Sequence, residues 1–222
     1  MKNILISDDF SKLGLNVSLG CIEADVACGK DDIQITKLIQ AEAARISSKY
    51  STDSIKDIPT INATRKAYKA IGKDPSRYRS SAEALHKRIV QGKDLYRINN
   101  LVDAGNLISM HTGLSLGAYD NSQINGDVIF RIGIKDETYK GIGRDYFNLE
   151  GLSVFADSMG AFGNPTGDSE RTMITDATNR LLMILIAYDI DDNSLNEAMT
   201  FAKKVLTSTC SAQNIEQLIV KK

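Results

Sequence analysis

The order of apolar and polar positions along the chain predicts strands in both halves of the sequence. Residues 17–26 place Val17, Leu19 and Cys21 in alternation before a change of face, which predicts a strand. The continuous apolar run LLMILIAYD at 181–189 is typical of a central strand that is covered on both faces. Further strands are expected at 127–134, near 152–156 and at 214–220.

Helical spacing dominates between these strands. Asp31 and Asp32 are expected to cap a helix that buries Ile35, Leu38, Ile39 and Ala43. Other helices are expected at 59–72, 80–92 (opened by a Ser80–Glu83 capping box), 100–111 and from Asn193 onward. The glycine-rich tract 159–172 predicts a loop. Because helices and strands mix without a strict βαβ rhythm, the predicted fold class is α+β with a mixed sheet and packed helices.

Length and composition indicate a soluble globular protein with one large domain or two small interleaved ones, and a single domain over residues 1–222 is the expected organisation. Apolar residues make up 42% and charged residues 25% of the chain. No apolar run approaches 18 residues, and the first residues lack a signal-peptide core, so a cytoplasmic protein without a membrane segment is expected. Cys21, Cys28 and Cys210 are expected to be buried thiols. With two histidines in the chain, a multi-histidine metal site is excluded, and the sequence predicts neither metal nor cofactor.

Positive charge is concentrated between Arg65 and Arg97. This segment has a net charge of +7, and the remainder of the chain sums to −8. Such asymmetry favours a polyanionic partner, although a pair of ordinary solvated helices would show the same pattern. Tyr68, Tyr78 and Tyr96 interleave with the basic residues and favour nucleic acid, since bases stack on aromatic rings. The RNA-binding residues expected here are Arg65, Lys69, Arg77, Arg79, Lys87 and Arg88.

The helix at 100–111 carries an unusual polar stripe. At 100° per residue, Asn99, Asp103 and Asn106 fall within about 60° of one another, and Leu101 and Ile108 lie on the opposite, core side. The stripe would face water on an average helix. Asn and Asp are poor helix formers, however, and short polar groups are well suited to orient a ligand, so a pocket-facing role is the hypothesis. His86 is expected at the surface, and His111 at the helix end, where a cation is favoured.

Common catalytic motifs are missing from the sequence. There is no GxSxG, and the glycines at 160–167 and 141–143 fit neither a phosphate loop nor a dinucleotide fingerprint, so turns are expected there. An ATP- or NAD-dependent enzyme has little support.

Four strings together resemble one family. They are IPTINATRKAYKAIGKDPSRYRSSAEAL, INNLVDAGNLISMHTGLSLGAYD, DVIFRIGI and SERTMITDATNRLLMILIAYD. Over residues 58–189 the chain resembles the B3/B4 domain of the phenylalanyl-tRNA synthetase beta chain, in a free-standing form. The resemblance implies an α+β domain that edits tRNA carrying tyrosine in place of phenylalanine. Hydrolysis of that ester needs no metal and no covalent nucleophile, because a held water and an oxyanion donor can suffice.

The resemblance carries over to single residues unevenly. It places the pocket asparagine on Asn106, the preceding threonine on Gly105, and the histidine of the LHAFD string on Gly117. The glutamate that reads the tyrosine hydroxyl falls near Ile184, where only apolar residues stand. Glu170, with Asp168 and Arg171, is the nearest polar substitute.

The leading hypothesis is a protein that binds tRNA or an aminoacyl-tRNA end and deacylates it. Asn106 and Asp103 are the expected catalytic residues, with Asp103 suited to an α-ammonium group. The expected substrate-binding residues are Asn99, Gly105, Asn106, Gly117 and Glu170. A tRNA-binding module without catalysis and a binder of a small, amino-acid-like ligand are the alternatives.

Overall fold

The computed structural model describes residues 1–29 and 33–222, and this part of the chain forms two four-stranded sheets, a short hairpin and six α-helices. The strands are β1 (Ile4–Ile6), β2 (Val17–Asp25), β3 (Ser115–Asp120), β4 (Val128–Ile132), β5 (Thr138–Lys140), β6 (Tyr146–Asn148), β7 (Ser153–Asp157), β8 (Gly160–Gly163), β9 (Arg180–Tyr188) and β10 (Gln213–Lys221). The helices are α1 (Asp8–Lys12), α2 (Ile33–Lys49), α3 (Pro59–Ala70), α4 (Ser81–Val90), α5 (Asn100–Thr112) and α6 (Asp192–Thr209).

The protein has three layers: a layer of helices, the first sheet and the second sheet. The first sheet has the order β10-β2-β9-β3 and is antiparallel throughout. The second has the order β1-β4-β7-β8, with β1 and β4 parallel. Helices α2, α5 and α6 cover one face of the first sheet, and the second sheet packs on its other face. This arrangement confirms the α+β class and explains why β9 is apolar at nearly every position, since both of its faces are buried.

Strand β2 does not change face, contrary to the sequence analysis. Its odd-numbered side chains, including Leu19 and Cys21, face the second sheet, and its even-numbered side chains, including Ile22 and Ala24, face the helices. Because both faces of β2 are buried, apolar residues occur at odd and even positions alike. The apparent change of face in the sequence pattern therefore arises in a regular strand.

Helix α5 lies in the middle of the helical layer. Asn99 caps its first turn, and its Oδ1 accepts a hydrogen bond from the Val102 N–H at 2.9 Å. Gly113 ends the helix with φ of +69°, a conformation that glycine adopts without strain. Leu101 and Ile108 have no exposed surface, which confirms the predicted core side. The polar side is also shielded from bulk water over most of its length.

The predicted element boundaries have three different outcomes. The expected caps Asp31 and Asp32 lie outside the described residues. Ser80 caps α4 as predicted, with the Glu83 backbone nitrogen 3.5 Å from its hydroxyl oxygen, but the Glu83 carboxylate accepts from Arg65 instead of completing the capping box. The tract 159–172 is not simply a loop, because it contains β8, which pairs with β7 and buries Phe162. Over the two described ranges, no helix combines the length and apolar character needed to cross a membrane.

Candidate functional site

A cavity of about 440 Å³ opens between α4, α5 and β3, and we call it the α5 cavity. Its lining is mostly apolar, with Ile98, Ile142 and Met173 exposed around it. The volume is within the range of small-ligand sites, which are typically apolar with a few convergent polar groups. The full lining is Ser81, Leu85, Ile98, Val102, Gly105, Asn106, Ser109, Leu116, Ala118, Ile142, Asp168, Met173 and Ile174.

Asn106 supplies the amide group of this lining. It is half-buried, and in the described part of the chain its side chain has no hydrogen-bond partner. Gly105 beside it faces β3, and a Cβ there would make ordinary van der Waals contact with Leu116 Cδ1 at 3.4 Å. The structure therefore brings Gly105 and Asn106 together in one wall, with an amide free to bind a ligand.

The other two members of the polar stripe do not line the cavity. The Asn99 side chain is used as the helix cap. Asp103 is not part of the lining, accepts a hydrogen bond from Arg97 Nε at 2.7 Å, and has only 4% of its side chain exposed. The expectation that all three residues form one pocket wall is thus wrong for Asn99 and Asp103. Side chains that differ by up to 60° around the helix axis can contact different neighbouring residues.

Asp168 is the acidic residue of the α5 cavity. Its Oδ1 accepts a hydrogen bond from the Tyr119 hydroxyl at 2.9 Å. Removal from water raises the pKa of Asp168 to about 7, although hydrogen bonds from Tyr119 and the Asn164 backbone oppose this shift. A carboxyl group with such a pKa exchanges its proton near neutral pH, which suits a general acid or base.

The remaining substrate-binding candidates lie elsewhere. Gly117 is in β3 but faces the second sheet, where a Cβ would lie 2.0 Å from the Tyr119 hydroxyl oxygen. Ile184, the position given to the family glutamate, is buried between the sheets. Glu170 is outside the lining and pairs with Lys140 at 2.9 Å. Asp168, which the sequence offered only as one of three substitutes, is the one that reaches the cavity.

Three of the expected RNA-binding residues meet in a second depression, which we call the basic cleft. This cleft of about 250 Å³ includes Arg65, Arg79, Lys87 and Lys56. Arg65 donates to both carboxylate oxygens of the buried Glu83, at 2.7 and 2.9 Å. Arg65 therefore has a structural partner, and Arg79 also lies 3.6 Å from Glu83. The lining has four basic residues against Asp53 and Glu83, so the cleft retains a net positive charge.

The basic cleft and the α5 cavity lie on opposite faces of α4. Glu83 and Lys87 line the cleft, whereas Ser81 and Leu85 line the cavity. Residues two apart on a helix point about 200° away from each other, so the two sites are separated by roughly one helix diameter.

The other basic candidates are more open. Lys69 and Arg77 are exposed, and the Arg88 guanidinium lies 4.2 Å from the ring centroid of Tyr96, which is 75% exposed. Of the three interleaved tyrosines, Tyr68 cannot stack on a base, because it is buried and its hydroxyl contacts Thr166.

Both histidines border a third cavity, of about 370 Å³, at the other end of α5. His86 is 2% exposed, which makes the predicted surface position wrong, and its Nδ1 donates to the Ala82 carbonyl at 2.8 Å. His111 stacks on Phe201 and lies 3.4 Å from Glu42, which also pairs with Arg45. These ionic groups already have partners within the fold. In the described ranges, no three metal-ligating side chains come together.

Comparison with known proteins addresses the family. A family model described as the B3/4 domain matches residues 63–211, about two thirds of the chain. The chain belongs to the B3/4 domain family. Asn106 and Asp168, which line the α5 cavity, both lie within the matched residues.

A solved structure supports the same fold. The crystal structure of an N-terminal fragment of the phenylalanyl-tRNA synthetase beta-subunit from Pyrococcus horikoshii matches with a TM-score of 0.52 at 12% identity. The match covers 98% of this chain and 54% of that chain. The B3/4 chain therefore spans about half the length of that fragment. A search of curated proteins found no match to this chain.

Proposed function

We propose that this B3/4 protein binds aminoacyl-tRNA and hydrolyses its ester, with the aminoacyl end in the α5 cavity. The observation that carries the proposal is the presence of both the unpartnered Asn106 amide and the Asp168 carboxyl in the lining of one mostly apolar cavity. An aminoacyl group has an apolar side chain next to a polar ester, and this lining complements both parts. The similarity to a fragment of a tRNA synthetase subunit supports the choice of tRNA as the partner.

The two polar groups suffice for the chemistry. The Asp168 carboxylate would accept a proton from a water molecule as its oxygen attacks the ester carbonyl carbon. The Asn106 Nδ2–H group would donate a hydrogen bond to the oxyanion of the tetrahedral intermediate. Collapse of the intermediate breaks the bond to the ribose oxygen, which leaves as a hydroxyl after taking up the proton, and frees the amino acid. Asp168 in this scheme replaces Asp103, which is held by Arg97.

The RNA backbone would bind along the basic residues of α3, α4 and their connection. Lys69 and Arg77 are exposed, and Arg88 with the exposed ring of Tyr96 offers both a phosphate contact and a stacking surface. The basic cleft adds Lys87 and Arg79 across α4 from the cavity. This assignment keeps the predicted set but gives Arg65 a mainly structural role.

Gly117 favours a second candidate function. The position that the synthetase resemblance gives to a histidine has no side chain here, so a tRNA-binding module without hydrolysis is the alternative. A binder of small, amino-acid-like ligands would use the same cavity without the RNA surface.

A panel of tRNAs charged with different amino acids separates these functions. Wild-type protein is expected to bind tRNA with an affinity that falls steeply with salt, and to release the amino acid from at least one charged tRNA. Binding without release from any member selects the non-catalytic module. Neither binding nor release at low salt contradicts the tRNA proposal and leaves the small-ligand binder.

A further inference from the structure

The connection between α4 and α5 presents an exposed aromatic ring beside the α5 cavity. Tyr96 is 75% exposed, and Ile98, two residues further on, is 56% exposed and lines the cavity. Two residues of chain span at most about 7 Å, so the Tyr96 backbone lies next to the cavity rim. The ring is therefore part of the surface that a ligand meets as it enters the cavity.

Arg97, between these two residues, anchors the connection to the helices. Its Nε donates a hydrogen bond to Asp103 Oδ2 of α5 at 2.7 Å, and its Nη1 donates to the Thr36 hydroxyl of α2 at 2.8 Å. These contacts turn Arg97 toward the helical layer and leave Tyr96 and Ile98 on the outside. The buried Asp103 carboxylate thereby ties the rim of the cavity to α5.

Arg88 of α4 covers one face of the Tyr96 ring. Its guanidinium carbon lies 4.2 Å from the ring centroid, which is a cation–π contact. Ser81, Leu85 and Arg88 follow one face of α4, since positions i, i+4 and i+7 share a face of a helix. Ser81 and Leu85 line the cavity, so the cation–π contact extends the same surface by about one helical turn. The other face of the ring is accessible to a ligand, because Tyr96 is mostly exposed.

A nucleobase complements this ring. Bases stack on aromatic side chains whatever their identity, because every base has a π-face, and Arg88 holds the Tyr96 ring against α4 from behind. In an aminoacyl-adenosine, the base and the aminoacyl group are attached to the same ribose. The base can therefore lie on Tyr96 while the aminoacyl group passes Ile98 into the cavity.

We propose, resting on the aminoacyl-tRNA function above, that Tyr96 is the stacking residue for the terminal base of the charged tRNA, at the rim of the α5 cavity. Tyr96 would then contact the one nucleotide that carries the amino acid, whereas the basic residues of α3 and α4 contact the RNA backbone. The nucleoside and the aminoacyl group occupy adjoining parts of one site.

Two analogues of a charged tRNA end test this role of Tyr96. One is 3′-deoxy-3′-(L-phenylalanyl)amino-adenosine, whose amide link replaces the ester, and the other is the same compound with hydrogen in place of the base. In calorimetric titrations of wild-type protein, the complete analogue is expected to bind about 5- to 150-fold more tightly, the effect of one stacked base. Tyr96→Ala and Tyr96→Leu are expected to reduce this ratio to about threefold or less, and Tyr96→Phe, which retains a ring, should preserve it.

Tyr146→Ala is the matched control. Tyr146 is 76% exposed, as Tyr96 nearly is, but it lies on β6 and is not part of the cavity lining. Its substitution should leave the ratio unchanged. Equal affinities of the wild type for the two analogues overturn the proposal, as do binding of neither analogue and an unchanged ratio in whichever of Tyr96→Ala and Tyr96→Leu is folded.

The outcome is separable from the proposed function. Base-dependent binding without hydrolysis of any charged tRNA removes the enzymatic function and keeps the stacking residue. Hydrolysis of a charged tRNA, with equal wild-type affinities for the two analogues, keeps the enzyme and removes the stacking residue.

Discussion

Asp168→Asn is expected to stabilise the protein in alkaline solution and to leave its stability nearly unchanged in acid. The folded-state pKa of Asp168 is about 7, against an ordinary value of 3.8. An acid with a raised pKa contributes stability below its unfolded-state value, and that stability is lost as the pH rises through the folded-state pKa. Between pH 5 and pH 7 the loss is about 1.4 kcal/mol per pH unit, or roughly 3 kcal/mol in total. Asparagine does not titrate and retains an oxygen that can accept the Tyr119 hydrogen bond.

Urea unfolding of both proteins at pH 5 and pH 8 measures the effect. The free energy of unfolding of the variant relative to that of the wild type should increase by about 2–3 kcal/mol between pH 5 and pH 8. Asp157→Asn provides a control without pH dependence in this range. Burial acts to raise the pKa of Asp157, but hydrogen bonds from Arg171 and the backbone lower it overall, so this carboxylate is ionised at pH 5 and at pH 8 and the substitution should destabilise the protein equally at both.

An Asp168→Asn variant with the same stability relative to the wild type at both pH values would refute the reasoning. It would mean that Asp168 ionises normally in the folded protein, and that the wall of the α5 cavity is hydrated. A role for this carboxyl as a proton acceptor near neutral pH would then lose its basis.

Three further substitutions test individual contacts by urea unfolding. Gly117→Ala should lower the free energy of unfolding by about 1–3 kcal/mol, because its Cβ overlaps the Tyr119 hydroxyl; unchanged stability would contradict that packing. Arg65→Ala should cost about 1–3 kcal/mol by removing both hydrogen bonds to the buried Glu83 carboxylate, which then has only the ion pair with Arg79 at 3.6 Å, and a loss of tRNA affinity alone would argue against the structural role. Asn99→Ala should cost about 1 kcal/mol through loss of the α5 cap and leave deacylation intact; a specific loss of deacylation would return Asn99 to the site.

The sequence predicted those parts of the fold in which the burial of a strand or helix is evident from its own residues. The apolar run of β9 indicated burial on both faces, and the strand is indeed covered by helices and by a second sheet. Strand β8 was missed because its glycines and the following Asn164 and Pro165 indicate a loop. Its pairing with β7 depends on the burial of Phe162, which no local pattern specifies.

The site was predictable only in part. Asn106 was singled out by its helical position and amide chemistry, and the structure places it in the lining of the α5 cavity. Asp168 could not be singled out, since its unusual environment comes from Tyr119, 49 residues away, and from the depth of the cavity. Asp103 was preferred for the same chemistry, and its real partner, Arg97, is six residues before it in an irregular segment.

Single-turnover deacylation by wild type and Asn106→Ala, with tRNA affinity measured in the same samples, tests the central claim most directly. Asn193→Ala, a substitution on the exposed first turn of α6, serves as the matched control. The account predicts a fall in the hydrolysis rate of about 10²–10³-fold for Asn106→Ala, with tRNA affinity and folding unchanged, because the oxyanion donor is lost. An undiminished rate in Asn106→Ala would contradict the account.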